Sequence, residues 1–234
     1  HLTTMNYFSD SLAAAFGLIA SFDQALYQIV LTSVGISLIA AIIAAVLAIP
    51  AGIVMALNQF AGKQFLQSIL NTLMAMPTVV IGLLLYGLFS RLGPLGHLEL
   101  LYTPTAIIIA ESILIFPIMM NLAIAAVTSA DPRLVPTLIS LGAKPKNLSI
   151  QVAKQTRFIM LAAVITGFGR AIGEVGAAMM LGGNIEGYTR TMTTAIALET
   201  SKGEFEMGLA LGLLLLIIAF VINFLLSWLQ RVKP

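Results

Sequence analysis

The chain has 234 residues, of which 59% are hydrophobic and only 9% are charged, and its formal net charge is +2. A soluble domain carries about 25% Asp, Glu, Lys and Arg, so this chain has too few charges to cover a globule with a solvated surface. The composition therefore excludes a cytosolic enzyme, a disordered protein and a nucleic-acid-binding protein, and it indicates an all-α protein with several membrane spans. Cysteine is absent, which excludes disulfides and thiolate metal sites.

The N-terminal segment, residues 1–28, is predicted to lie outside the membrane-spanning part of the chain. Residues 1–4 precede Met5 and resemble the remnant of a tag. Residues 5–27 are apolar but are interrupted by Asp10, Ser21 and Asp23. We interpret this stretch as an amphipathic helix on the membrane surface, in contact with lipid; a sixth span is the alternative.

Five later stretches are long enough to cross a membrane as helices, since a span needs about 20 mostly apolar residues. They cover residues 29–57, 65–89, 105–127, 158–181 and 207–228. Residues 29–234 are therefore predicted to form one transmembrane domain. Prolines at positions 50, 77 and 117 lie within these spans, and residues 74–78 predict a kink. Two small-residue pairs predict close helix approach: Gly169 with Gly173, and Gly208 with Gly212.

The Lys and Arg residues outside the spans are unevenly distributed between the two sides of the membrane. Three lie on one side: Arg91, Arg190 and Lys202. Eight lie on the other: Lys63, Arg133, Lys144, Lys146, Lys154, Arg157, Arg231 and Lys233. Since cytoplasmic loops carry the excess of Lys and Arg, we expect the C-terminus in the cytoplasm and the N-terminus outside. No internal repeat is visible, so a pathway would form most simply between two copies of the chain.

The longest basic loop, residues 131–157, predicts a helix–turn–helix. Asp131 and Pro132 are typical of a helix start, and apolar residues then recur at helical spacing. Gly142 supplies the left-handed turn that ends a helix, and Pro145 begins a second helix. From composition alone, a loop resting on lipid headgroups and a docking element are equally favoured.

Residues 137–154, centred on Leu-Gly-Ala-Lys-Pro at 141–145, resemble the cytoplasmic loop of binding-protein-dependent ABC importer permeases. In that family the loop presents a coupling helix to a groove on the ATP-hydrolysing subunit. The resemblance implies six residues for this contact: Leu138, Leu141, Gly142, Ala143, Lys144 and Pro145. Two departures from the family pattern are visible: Pro-Thr-Leu at 136–138 replaces Glu-Ala-Ala, and Gln155 replaces the closing proline.

Residues 169–184, which begin Gly-Arg-Ala-Ile-Gly-Glu-Val-Gly-Ala, are similar to a motif of the oxyanion subgroup of these permeases, which handles molybdate, tungstate and sulfate. Residues 185–191 and 195–200 resemble tungstate permeases most, and the resemblance extends over nearly all of the chain from about Tyr27 onward. It implies the fold of a type I ABC importer permease, in the plasma membrane of a prokaryote. It further implies a homodimer, an extracytoplasmic binding protein and tungstate import, with molybdate or sulfate as the alternative.

No catalytic constellation is visible, so we expect no enzymatic activity in this chain. The only histidines are His1 and His97, and no Gly-rich loop is followed by Lys-Ser or Lys-Thr. ATP and Mg are therefore expected on a separate ATPase subunit, present in two copies, and no cofactor is expected here. The alternatives from other classes are an ATP-independent anion channel, a secondary carrier and an integral-membrane enzyme.

Polar residues within the spans are the candidates for an anion pathway: Thr78, Glu111, Thr166, Arg170, Glu174 and Asn223. Arg170 and Glu174 are one turn apart in a continuous helix, so a structural ion pair is favoured over direct contact with the anion. For Glu111, Asn223 and Asn71, helix-to-helix hydrogen bonding is the favoured interpretation. We expect a mostly small or apolar pathway along the two-fold axis, lined by the third and fifth spans and part of the second.

Overall fold

The computed structural model describes residues 2–131 and 133–231, which form helices and turns with no strand among them. His1, Pro132 and Lys233, which enter the sequence predictions, lie outside these residues. The helices are α1 (Leu2–Ala20), α2 (Gln24–Leu57), α3 (Lys63–Met74), α4 (Thr78–Phe89), α5 (Pro104–Thr128), α6 (Leu134–Ser140), α7 (Pro145–Gln155), α8 (Arg157–Ile172), α9 (Gly176–Gly182), α10 (Met192–Lys202) and α11 (Phe205–Arg231).

Between three and five segments can cross a membrane by length and composition. Helices α2, α5 and α11 are each long and apolar enough alone, and α2 and α5 continue through Pro50 and Pro117. Two bent helix pairs pass the same test together, α3 with α4 and α7 with α8. The all-helical class is confirmed. The count of five spans stays a prediction, because it requires each bent pair to be one span and α7 belongs to the loop predicted to be cytoplasmic. Helix α1 forms in the predicted N-terminal segment, and its place on the membrane surface stays a prediction.

The second predicted span is broken. Helix α3 ends at Met74, α4 begins at Thr78, and the pair is bent by 96°. Pro77 precedes α4 in an extended conformation, since its ring blocks continuation of the helix before it. The predicted kink is therefore confirmed. Each half has 12 residues and is about 18 Å long, less than the roughly 30 Å of a hydrocarbon core.

The prediction that residues 158–181 form one continuous helix, the fourth span, is wrong. Helix α8 ends at Ile172, residues 173–175 are not helical, and the short helix α9 follows. The Oε1 atom of Glu174 accepts a hydrogen bond from the backbone N–H of Ala177 (3.2 Å), so this carboxyl group caps the start of α9. Arg170 and Glu174 therefore do not lie one turn apart on a continuous helix, and the ion pair between them stays a prediction.

The described residues divide into two compact units. The first consists of the residues up to Ile39 with 77–111 and 172–221, and the second of 40–76 and 112–171 with the residues from Ile222 onward. In the first unit, Ile36, Ile107 and Ala178 form a buried cluster. In the second unit, three alanines of α2 pack in one buried cluster with Met119 and Met120 of α5: Ala41, Ala44 and Ala48.

Candidate functional site

The basic loop folds as the predicted helix–turn–helix. Helices α6 and α7 flank Gly142, whose φ of +78° lies in the left-handed region that favours glycine. Its N–H donates to the Ile139 carbonyl (2.9 Å), and the Ala143 N–H donates to the Leu138 carbonyl (3.0 Å). Pro145 is the first residue of α7, where its missing N–H costs nothing. Asp131 accepts a hydrogen bond from the Arg133 N–H (2.8 Å) at the start of the loop.

One side of this loop is anchored and the other is exposed. Val152 of α7 is fully buried in a cluster with Val127 and Met160. By contrast, Ile139 and Leu141 at the turn are 58% and 77% exposed. Lys144 and Pro145 beside them are also exposed. An exposed apolar tip on an anchored helical loop is typical of a docking element, and it equally permits contact with lipid headgroups.

Two of the predicted pathway residues, Thr78 and Glu174, lie together in the first unit. A Cβ atom placed on Gly176 would lie 3.2 Å from the Thr78 hydroxyl, 3.6 Å from Glu174 Oε1 and 2.9 Å from a Val79 methyl group. Gly176 therefore lets α4 pass close to the start of α9. Glu174 is only 4% exposed, while Thr78 is half-buried.

Hydroxyl groups that the sequence analysis did not single out hold the break before α9. The Thr193 hydroxyl donates to the Glu174 carbonyl (2.6 Å). It also lies 3.1 Å from the hydroxyl of Thr191, the residue that caps α10. The Met192 N–H in turn donates to the Ser33 hydroxyl of α2 (2.6 Å). All these side chains are buried, so their hydrogen bonds help to fix the position of Glu174. A sequence signal existed in the density of threonines at 189–194.

The second unit holds three further predicted residues. Thr166 and Arg170 are one turn apart on α8, and the Thr166 hydroxyl donates to the Ala162 carbonyl of its own helix (2.8 Å). A Cβ atom on Gly169 would lie 3.2 Å from Ile222 of α11, the residue before Asn223, so the close approach predicted at Gly169 is confirmed. Arg170 and Asn223 are exposed in the single chain. The remaining candidate, Glu111 in the first unit, is 2% exposed.

A cluster of three side-chain amides on α3 and α5 was largely missed from the sequence. Asn121 donates from Nδ2 to Asn71 Oδ1 (3.3 Å), and Gln67 hydrogen-bonds to both asparagines. The helix-to-helix hydrogen bonding predicted for Asn71 is therefore confirmed. Gln67 and Asn71 share a face of α3 at a spacing of four residues, which was the signal available. Asn121 is 50 residues further along the chain, and only the tertiary structure brings it to the others.

A surface cavity of about 350 Å³ lies in the first unit, on the loop between α4 and α5. Its lining combines aromatic, charged and apolar residues: Phe89, Arg91, Gly96, Glu99, Leu101 and Tyr102. Glu99 and Tyr102 have φ values of +49° and +62°, which are rare for residues with a side chain. The Tyr102 N–H donates to the Leu181 carbonyl (2.7 Å), which ties this loop to the end of α9.

Residues 48–232 match the protein family described as binding-protein-dependent transport system inner membrane component. The chain belongs to this family. It is 40% identical over 227 residues to the tungstate uptake system permease protein TupB of Peptoclostridium acidaminophilum, covering 97% of this chain and 100% of that protein. It is 41% identical to TupB of Campylobacter jejuni, covering 74% of this chain and 72% of that protein. It is 36% identical to a probable anion ABC transporter permease protein of Haloferax volcanii, covering 85% and 88%. Relatives named for molybdenum or sulfate transport are 24–28% identical.

Proposed function

We propose that this chain is the membrane-spanning subunit of an ATP-driven importer that carries tungstate into the cytoplasm. The observation that carries the proposal is its 40% identity over the full length of a permease named for tungstate uptake. The relatives named for molybdenum and sulfate are more distant, at 24–28% identity. Molybdate and sulfate remain the alternative cargoes, since all three are tetrahedral dianions.

The proposed assembly contains two copies of this chain, two ATPase subunits that use ATP and Mg, and an extracytoplasmic binding protein. The helix–turn–helix supports the ATPase contact, because its exposed tip at Leu141 is apolar and its other face is anchored by Val152. The excess of Lys and Arg in this loop supports a cytoplasmic location for it. The N-terminus is then outside and the C-terminus inside, in the inner membrane of a prokaryote.

On the outer side, the loop between α4 and α5 is the proposed receiving surface for the binding protein. Its cavity presents both Arg91 and Glu99, and charges of both signs suit a polar, reversible protein contact. Selectivity for the anion is assigned to that binding protein, while the permease supplies a regulated route.

The route is proposed to run along the two-fold axis between the copies. Thr78, Glu111, Thr166, Arg170 and Asn223 are the candidate lining residues. Glu174 acts instead as a positioning residue, because its carboxyl group caps α9. A dianion cannot cross hydrocarbon unsolvated, so the seam must open to water on one side at a time.

The test is the ATPase activity of the reconstituted complex of permease, ATPase and binding protein. We expect tungstate-loaded binding protein to stimulate hydrolysis at lower anion concentrations than molybdate or sulfate. Equal stimulation by all three anions would contradict tungstate as the cargo. Anion flux through vesicles that contain the permease alone would favour the channel instead.

A further inference from the structure

The amide cluster of Gln67, Asn71 and Asn121 has a defined hydrogen-bonding pattern. Gln67 Nε2 donates to Asn71 Oδ1 (3.4 Å) and to Asn121 Oδ1. Asn121 Nδ2 donates to Asn71 Oδ1 (3.3 Å) and to the sulfur of Met74 (2.9 Å). Asn71 therefore accepts two hydrogen bonds through its oxygen. Among the described residues, no hydrogen bond is donated by its amide nitrogen, which leaves two N–H groups available.

This cluster lies at membrane depth. Helix α5 has 25 residues, so it is about 37 Å long and exceeds a hydrocarbon core of about 30 Å. Asn121 is seven residues before its carboxyl end, or about 10 Å along the axis, which places it inside the core. On the proposed orientation that end is cytoplasmic. Gln67 and Asn71 contact Asn121 directly and therefore lie at a similar depth.

The cluster is nevertheless open at the surface of the single chain. Asn71 is exposed, and Gln67 and Asn121 are each half-buried. An amide that faces lipid loses the hydrogen bonds that water would give it, and no lipid tail replaces them. The open face of this cluster must therefore adjoin water, a hydrogen-bonding solute or another polar surface.

We infer that Asn71 lines the inner half of the anion pathway and donates hydrogen bonds to the passing tetrahedral oxyanion. The inference rests on the proposed function. Gln67 and Asn121 are positioning residues, because they hold the Asn71 oxygen and so turn its N–H groups outward. Neutral donors suit this task, since a fixed cation at the same place would bind a dianion too tightly for release.

The neighbouring polar residues of α3 cannot offer the same donors. The Ser68 hydroxyl donates to the Gln64 carbonyl (3.0 Å), and the Thr72 hydroxyl donates to the Ser68 carbonyl (2.8 Å). Both hydroxyl protons are therefore already donated to backbone carbonyls of their own helix. Thr72 is exposed like Asn71 and adjacent to it in sequence, so it provides a matched control position.

The first test is tungstate uptake by the complete importer in vesicles. We expect Asn71→Leu, which keeps the size but removes the donors, to lower the initial uptake rate about tenfold. Asn71→Asp should lower it further through charge repulsion, while Thr72→Val should leave it unchanged. The dimeric state of the permease should be the same in all variants. Unchanged uptake by Asn71→Leu would overturn the inference, as would loss of the dimer, which would make the cluster a contact between copies.

A second readout uses the absence of cysteine from the chain. We expect Asn71→Cys in the assembled importer to react with a negatively charged thiol reagent, and tungstate to slow this reaction. Thr72→Cys is the reference for the effect of tungstate on labelling elsewhere on α3. An unreactive Asn71→Cys, or labelling that tungstate slows equally at both positions, would overturn the inference. The failure of the proposed function has a different signature, namely that the unsubstituted importer carries no tungstate at all.

Discussion

Replacing Gly142 by valine perturbs the turn between α6 and α7 without a steric clash with its surroundings. A Cβ atom at this position would meet no other atom within 4 Å, so the cost lies in the backbone, whose φ is +78°. A side chain in this left-handed conformation costs about 1–2 kcal/mol, and a β-branched one is near the upper end. A cost of about 2 kcal/mol lowers the population of the native turn by about thirtyfold. The turn hydrogen bonds of Gly142 and Ala143 are then lost.

We expect Gly142→Val to uncouple the importer, so that tungstate uptake falls at least tenfold while the ATPase subunits still hydrolyse ATP. The assay measures both rates in the same vesicles and compares their ratio with that of the unsubstituted complex. Gly142→Asn is the control, since asparagine tolerates a left-handed backbone and should retain most of the uptake. Normal uptake by Gly142→Val would refute the reasoning. An equal loss of uptake by Gly142→Asn would show that any side chain at this position prevents contact with the ATPase subunit, whatever the conformation of the turn.

Three further predictions concern packing, a helix cap and the pathway. A Cβ atom on Gly52 would lie 2.8 Å from a backbone carbonyl oxygen of α5, so Gly52→Ala should lower the thermal unfolding midpoint. Gly35→Ala is the control, since Gly35 lies on the same helix with open space around it and its substitution should leave the midpoint unchanged. Equal midpoints for the two variants would contradict this packing. Glu174→Leu, which removes the carboxyl cap of α9, should lower the thermal unfolding midpoint, whereas Glu174→Gln keeps an acceptor for the Ala177 N–H without the charge and should retain most of it; equal losses would contradict the cap. Thr78→Cys should form disulfides between copies or show tungstate-protected labelling; labelling confined to the first span would place the pathway elsewhere.

The parts of the fold that were predicted correctly depend on local chemistry. Gly142 and Pro145 specify a turn and a helix start through their own backbone preferences, whatever surrounds them. Pro77 breaks the second span for the same reason, since it removes a donor and clashes with the turn before it. The three long spans follow from an apolar run that is longer than the hydrocarbon core.

The break at residues 173–175 was missed because Arg170 and Glu174 were interpreted as neighbours on one continuous helix. It depends on a buried carboxyl group at Glu174 and on a hydroxyl from Thr193, which is 19 residues further along. The amide cluster was missed for a similar reason. Asn121 is unremarkable within α5 until Gln67 and Asn71 are placed beside it. Contacts of this kind are set by the packing of separate helices.

We expect this chain to move tungstate inward, driven by ATP that a partner subunit hydrolyses. The most direct measurement is the accumulation of tungstate inside vesicles that hold the permease and the ATPase, with the binding protein and tungstate outside. We expect accumulation above the external concentration with ATP and Mg present on the ATPase side, and none with a non-hydrolysable ATP analogue. Equilibration of tungstate without ATP, or accumulation of sulfate or molybdate in its place, would contradict the account.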